Sequence, residues 1–190
     1  MNLFPTSYFP SISFFQHNQS IENPCISGNE VYVKQSFRNR CEILTSNGVQ
    51  ILSIPVIKVN GTKSLTSEIS ISEQKNWRLD HWRAIESAYK NSPYFEFYDV
   101  EIKNLLFHQT EKLLSFNQNI IDFFCSIWKL TPTTLIDSDL FISEQYEFLG
   151  RKVKCKSYIQ VFDDRFDFQN NLSILDLLFC EGPLGRNWIK

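Results

Sequence analysis

The stretch VYVKQSFRNRCEILTSNGVQILSIPVIKV, residues 31–59, holds two apolar runs separated by Ser46-Asn47-Gly48. Asn-Gly between apolar runs is a strong hairpin signal, because both residues tolerate positive φ. The pattern predicts that 37–45 pairs antiparallel with 49–57. Pro55 lacks an N–H, so it limits the second strand to an edge or ends it. If residues 30–44 run as one strand, alternate residues face opposite ways. One face then reads Val31, Val33, Gln35, Phe37, Asn39, Cys41 and Ile43. The other carries Lys34, Arg38 and Arg40, three cations in seven positions. Such a column is either a solvated edge or a surface built to hold an anion. Gln35 and Asn39 need partners if they are buried.

The chain has 190 residues, of which 43% are hydrophobic, and 17 are Phe. That suffices for one good-sized domain, here expected over 1–190, with an aromatic-rich core. The net charge of −2 leaves no global basic excess, so a nucleic-acid partner is not expected and any anion recognition must be local. Five cysteines, widely spaced and without a CxxC, argue against a zinc site or a disulfide framework. The first residues lack a basic region and contain Pro5 and Pro10, unlike a signal peptide. No apolar run approaches the roughly 18 residues of a membrane span. A cytoplasmic protein without membrane insertion is the expectation.

Outside the hairpin, residues 2–9 read as a first strand and Ser11 to His17 as a short helix with Ser11 as cap. Residues 20–29 read as a loop and 67–72 as a further strand. From Asn76 the period becomes helical, giving helices over 76–91, 94–108 (starting near Asp99) and 110–130. Segments 133–143 and 153–162 read as extended. Ser173-Ile-Leu-Asp176 resembles a cap opening a terminal helix, closed by Gly182-Pro183. The fold class is mixed α/β, with a single sheet of 2–9, 30–57 and part of 67–72 flanked by helices.

The helix at 76–91 holds the sharpest chemical signal. At about 100° per residue, Trp77, Trp82, Ala84, Ile85, Ala88 and Tyr89 share one broad apolar face. His81 lies near its centre and Arg78 on the same side. A guanidinium on a buried face is costly unless paired or turned toward a cleft. One reading is a satisfied core histidine with Arg78 reaching to the rim. The other is a pocket wall with His81 as acid or base. Asn117 interrupts the apolar face of 110–130 and reads as a buried hydrogen bonder or a site residue. Cys41 and Cys125 read as core. His17, His81 and His108 lack metal-ligand spacing. Nothing in the residues names a cofactor or fixes an oligomeric state.

Tyr8-Phe9-Pro10, KQSFRNRCEI with NGVQILSIPV, HWRAIESAYKNSPYFEFY and NNLSILDLLFCEGP together resemble the WbqC-like protein family. Other branches of that family carry a His-Gln-Pro motif where this chain has Phe4-Pro5-Thr6. The resemblance implies an association with O-antigen and other surface-polysaccharide gene clusters. It places motif positions at Tyr8, Pro10, Lys34, Gln35, Arg38, Asn39, Arg40, His81, Trp82, Tyr89 and Pro93, without supplying their roles. Two functions follow as expectations. One is a transferase acting on a nucleotide-activated or phosphorylated sugar. Its catalytic set would be His81, Arg78 and Tyr8, and its binding set Lys34, Gln35, Arg38, Asn39, Arg40, Trp82, Tyr89 and Asn117. The other is a non-catalytic binding or assembly protein, with an anionic small molecule still the expected ligand of the first reading.

Overall fold

A computed structural model describes residues 3–136 and 153–190. The architecture is mixed α/β, but the strands do not join one sheet. Strands β1 (Leu3–Phe4), β2 (Cys25–Ser27) and β7 (Thr134–Ile136) form a parallel sheet in the order β1-β2-β7. Leu3 lies opposite Cys25, and Cys25 opposite Thr134. Helix α1 (Ile12–Gln19) is the crossover from β1 to β2, as parallel neighbours require a connection of this kind. Strand β2 occupies the segment read as a loop. Its three residues are buried on both faces, and so short a run shows no period. The Ser11 hydroxyl meets Ser13 Oγ at 3.1 Å and does not cap α1.

Strands β3 (Arg40–Thr45) and β4 (Gly48–Ser53) pair antiparallel, with Thr45 opposite Gly48 and Arg40 opposite Ser53. The turn differs from the expected Asn-Gly one. Ser46 and Asn47 are its two residues, Gly48 alone has positive φ (98°), and Asn47 does not. The Thr45 hydroxyl fixes the turn, donating to the Gly48 carbonyl at 2.8 Å and accepting from the Asn47 N–H at 3.3 Å. Strands β5 (Val56–Ile57) and β6 (Ser70–Ile71) form a separate antiparallel pair. Pro55, between β4 and β5, cannot donate to a ladder.

The expected strand at 30–44 begins only at Arg40. Residues 34–39 are turns and bends, Val31 makes only an isolated bridge to Leu65, and Gln35 stands at φ 57°. Local bonds hold this loop: the Ser36 hydroxyl donates to the Val33 carbonyl at 2.8 Å, and Asn39 N–H to the Ser36 carbonyl at 3.3 Å. The two-faced alternation of Lys34, Arg38 and Arg40 therefore does not exist.

The helices follow the sequence pattern more closely. They are α2 (Trp77–Tyr89), α3 (Phe95–Phe107), α4 (Leu113–Trp128), α5 (Ile174–Glu181) and α6 (Arg186–Ile189). The stretch read as a helix from Asp99 starts earlier, at Phe95. Helix α4 buries Phe116, Ile120, Ile121, Phe124 and Trp128 in the core and stops at Lys129, which takes a left-handed conformation. Ser173 caps α5 by accepting from the Leu175 N–H at 3.3 Å. The stretch read as a strand or extended segment at 153–162 carries no strand. Tyr158 and Gln160 tie it to the core instead, donating to the buried Asp176 Oδ2 at 2.6 and 2.9 Å. The part of the 133–143 segment beyond Ile136 lies outside the described residues. Cys41 and Cys125 are buried, and all five cysteines are free thiols.

Gly182 ends α5 at φ 54° and ψ −129°. An added Cβ there would sit 2.4 Å from the Tyr94 ring. Gly182→Ala should therefore lower the unfolding free energy by about 2–3 kcal/mol, from strain plus the clash. Urea unfolding of the variant against the parent chain measures this.

Candidate functional site

Tyr8 stands between β1 and α1. Its N–H donates to the Phe37 carbonyl at 2.9 Å, which pins the N-terminal segment to the 31–39 loop. Its ring is fully buried, beside Phe9 and Phe116. Its hydroxyl meets His81 Nδ1 at 2.8 Å. Burial, with Cys41 nearby, pushes the Tyr8 pKa up, so the phenol stays protonated.

Trp77, Arg78 and His81 come from the first turns of α2, all buried. The His81 ring lies edge-on to Trp77, centroids 5.1 Å apart. Burial lowers its pKa to about 4, although a hydrogen bond to the Ser53 backbone and the charge of Asp80 pull the other way. The imidazole is therefore neutral. A neutral ring has one N–H. With its proton toward Ser53, Nδ1 is the acceptor and Tyr8 is the donor.

Arg78 is only 4% exposed. Its guanidinium carbon lies 4.3 Å from the Trp77 ring centre and 5.5 Å from that of Phe116. Nη1 donates to Glu73 Oε1 at 2.9 Å. Nε and Nη2 are buried and have no hydrogen-bond partner among the described residues, and neither has Trp77 Nε1. Burial lowers the Arg78 pKa while Glu73 and Tyr8 raise it; the group remains a cation near neutral pH.

The other arginines divide. Arg38 is buried and forks onto Glu30, with Nε to Oε1 at 2.7 Å and Nη2 to Oε2 at 2.5 Å. Its Nη1 also donates to Ser36 Oγ at 3.2 Å. Asn117 Nδ2 donates to the Arg38 carbonyl at 2.8 Å, and Asn39 Nδ2 to the Ile54 carbonyl at 2.8 Å. Both amides thus hold the loop in place. Arg40 is half-buried near Tyr32, whose pKa burial pushes up to about 12 against the charges of Arg38 and Arg40, and Arg40 Nε has no partner among the described residues. Lys34 and Gln35 are exposed.

The structure brings Tyr8, Arg78 and His81 into one cluster. Phe116 contacts Tyr8, Trp77 and Arg78, whereas the next residue, Asn117, turns to the Arg38 carbonyl. Trp82 and Tyr89 face elsewhere: Trp82 stacks on Phe95 and Tyr89 packs on Phe179. Sequence reading left out Glu30, Glu73 and Phe116. Each acid lies in a loop several residues from its arginine, where no helical or strand period joins the pair. Phe116 is one of several aromatic residues in α4 and carries no polar group to mark it.

The chain belongs to the WbqC-like protein family, whose model matches residues 6–154. That range contains the Tyr8, Arg38-Asn39-Arg40 and His81-Trp82 motifs; the stretch at 170–183 lies beyond it. The chain is also 28% identical over 220 residues to the uncharacterized protein Rv1507c of Mycobacterium tuberculosis (strain ATCC 25618 / H37Rv), covering 97% of this chain and 95% of that one. No solved structure matches the chain. Among the described residues no helix is long and apolar enough to cross a membrane.

His81 sets a pH dependence. Its pKa falls from an unfolded value near 6.5 to about 4 in the fold. Between these values the unfolded chain binds the extra proton, so stability rises with pH. The contribution is complete above pH 6.5 and is lost as pH falls toward 4, on the order of 3 kcal/mol. His81→Gln should flatten this part of the profile. Melting temperatures of both chains from pH 4 to 8 check it.

Proposed function

We propose that the chain is a transferase-type enzyme acting on a nucleotide-activated or phosphorylated sugar precursor in surface-polysaccharide production, working in the cytoplasm. The observation that supports it best is the convergence of Tyr8, His81 and Arg78 in one buried cluster, with the Arg78 charge offset, among the described residues, by the half-exposed Glu73. Arg78 would neutralise a phosphoryl group, as positioned cations do in phosphate chemistry. Tyr8 donates to His81, so its oxygen is left able to accept from a substrate hydroxyl. Proton transfer would then run from that hydroxyl to Tyr8 as Tyr8 passes its own proton to His81. A ring titrating near 4 is a weak base, and a bound dianion beside it would raise its pKa toward the working range.

Non-catalytic binding in the same biosynthetic system is the second reading. What favours it is that both ring nitrogens of His81 have partners and the ring is neutral in the free protein. The two readings separate on turnover. A panel of nucleotide sugars and sugar phosphates, with candidate acceptors, should give a product by mass spectrometry. His81→Gln should lower its rate by about 10²-fold or more, while the rise in melting temperature on ligand addition persists. Turnover within a few-fold of the parent, in a variant that folds normally, removes His81 from catalysis. A melting shift without product for any pair supports the binding reading.

A further inference from the structure

Two buried guanidiniums in this chain invite comparison atom by atom. Arg38 presents its Nε–Nη2 edge to Glu30, which fills it with both carboxylate oxygens. Nε and Nη2 carry parallel N–H bonds, the geometry that takes an oxyanion through two oxygens. Arg78 has the same edge, also buried, and no group among the described residues meets it. Glu73 reaches only Nη1, on the other side of the guanidinium. An unpaired buried N–H is costly, and more so on a charged group.

The residue stacked on that guanidinium carries a third donor. The Trp77 indole sits beneath the guanidinium, its ring centre 4.3 Å from the Arg78 carbon, and its Nε1–H is also buried without a partner. An indole N–H lies in the plane of its ring, so this donor belongs to a layer below the guanidinium. A carboxylate taken edge-on has both oxygens in the guanidinium plane and leaves the indole unmet. A tetrahedral phosphoryl group places two oxygens on the edge and directs others out of the plane, toward the indole layer.

We infer that the Nε–Nη2 edge of Arg78 and the indole N–H of Trp77 form a receptor for one phosphoryl group of the ligand. The inference rests on the functional reading above and specifies its substrate class. The phosphoryl group of a sugar phosphate or nucleotide sugar is held by α2 itself, rather than by the 31–39 loop. Arg38, already neutralised by Glu30, takes no part.

Isothermal titration with inorganic phosphate, glucose 1-phosphate, glucuronate and glucose tests this. The parent chain should bind both phosphates, with glucuronate at least about tenfold weaker and glucose not at all. Arg78→Lys keeps the charge and removes the edge, so phosphate affinity should fall at least about tenfold. Trp77→Phe removes the third donor and keeps an aromatic ring, so affinity should fall several-fold. Arg83→Gln removes an exposed charge from the same helix and should leave affinity within about twofold. Unliganded melting temperatures confirm that each variant is folded. Parent-like phosphate affinity in folded Arg78→Lys, or glucuronate binding as tightly as phosphate, overturns the receptor. Its failure is distinct from failure of the transferase reading. Turnover of sugar phosphates undiminished by both variants would sink the receptor alone. Glucose 1-phosphate binding no better than inorganic phosphate, without turnover by any acceptor, would sink the transferase reading and leave the receptor standing.

Discussion

Withdrawing a guanidinium from water carries a penalty of several kcal/mol unless an oxyanion or other acceptors meet it, and two are buried among the described residues. At Arg38 the solution is internal. Glu30 supplies both oxygens, and the ion pair clips the start of the 31–39 loop to its end. The carbonyl of the same residue receives Asn117 from α4, and the next residue, Asn39, reaches Ile54 beyond the hairpin. The loop is therefore fixed to α4 and to the end of the hairpin through polar groups that must all be satisfied together. At Arg78 the solution is partial, because one nitrogen meets Glu73 and two have no partner among the described residues.

That fixed loop also places Tyr8. The Phe37 carbonyl receives the Tyr8 N–H, and the hydroxyl then reaches across the core to His81 on α2. One hydrogen bond joins residues 73 positions apart, and its donor direction follows from the low pKa of the ring and the Ser53 backbone on the other side. Aromatic packing fills the space around it. Phe116 contacts Tyr8, Trp77 and Arg78, so α4 is the floor on which the N-terminal segment and α2 meet.

The helical parts of this arrangement were legible in the sequence. Trp77, His81, Ile85 and Tyr89 recur at helical spacing, and Arg78 and His81 do lie on the buried face of α2. Ser173 does cap α5. The strands were less legible. The 30–44 stretch alternates well enough to pass for a strand. Yet Gln35 takes a left-handed backbone and Arg38 turns inward to Glu30. Local turn bonds and one buried ion pair outweigh a pattern that only a paired neighbour could have stabilised. Residues 25–27 show the reverse case. Three residues carry no period, but two parallel neighbours on either side make them a central strand.

What the residues alone determined is therefore the local part: the helices, the hairpin's two runs, the aromatic core and the coincidence of a cation and an imidazole on one apolar face. These depend on spacing along the chain, which periodicity reports. Only the tertiary structure decided which arginine is neutralised. Glu30 and Arg38 meet through a loop, Glu73 reaches one nitrogen of Arg78, and Tyr8 meets His81 across the core. Such pairings bring together groups without a common period. Charge compensation in a buried site depends on distance in space, which no one-dimensional pattern records.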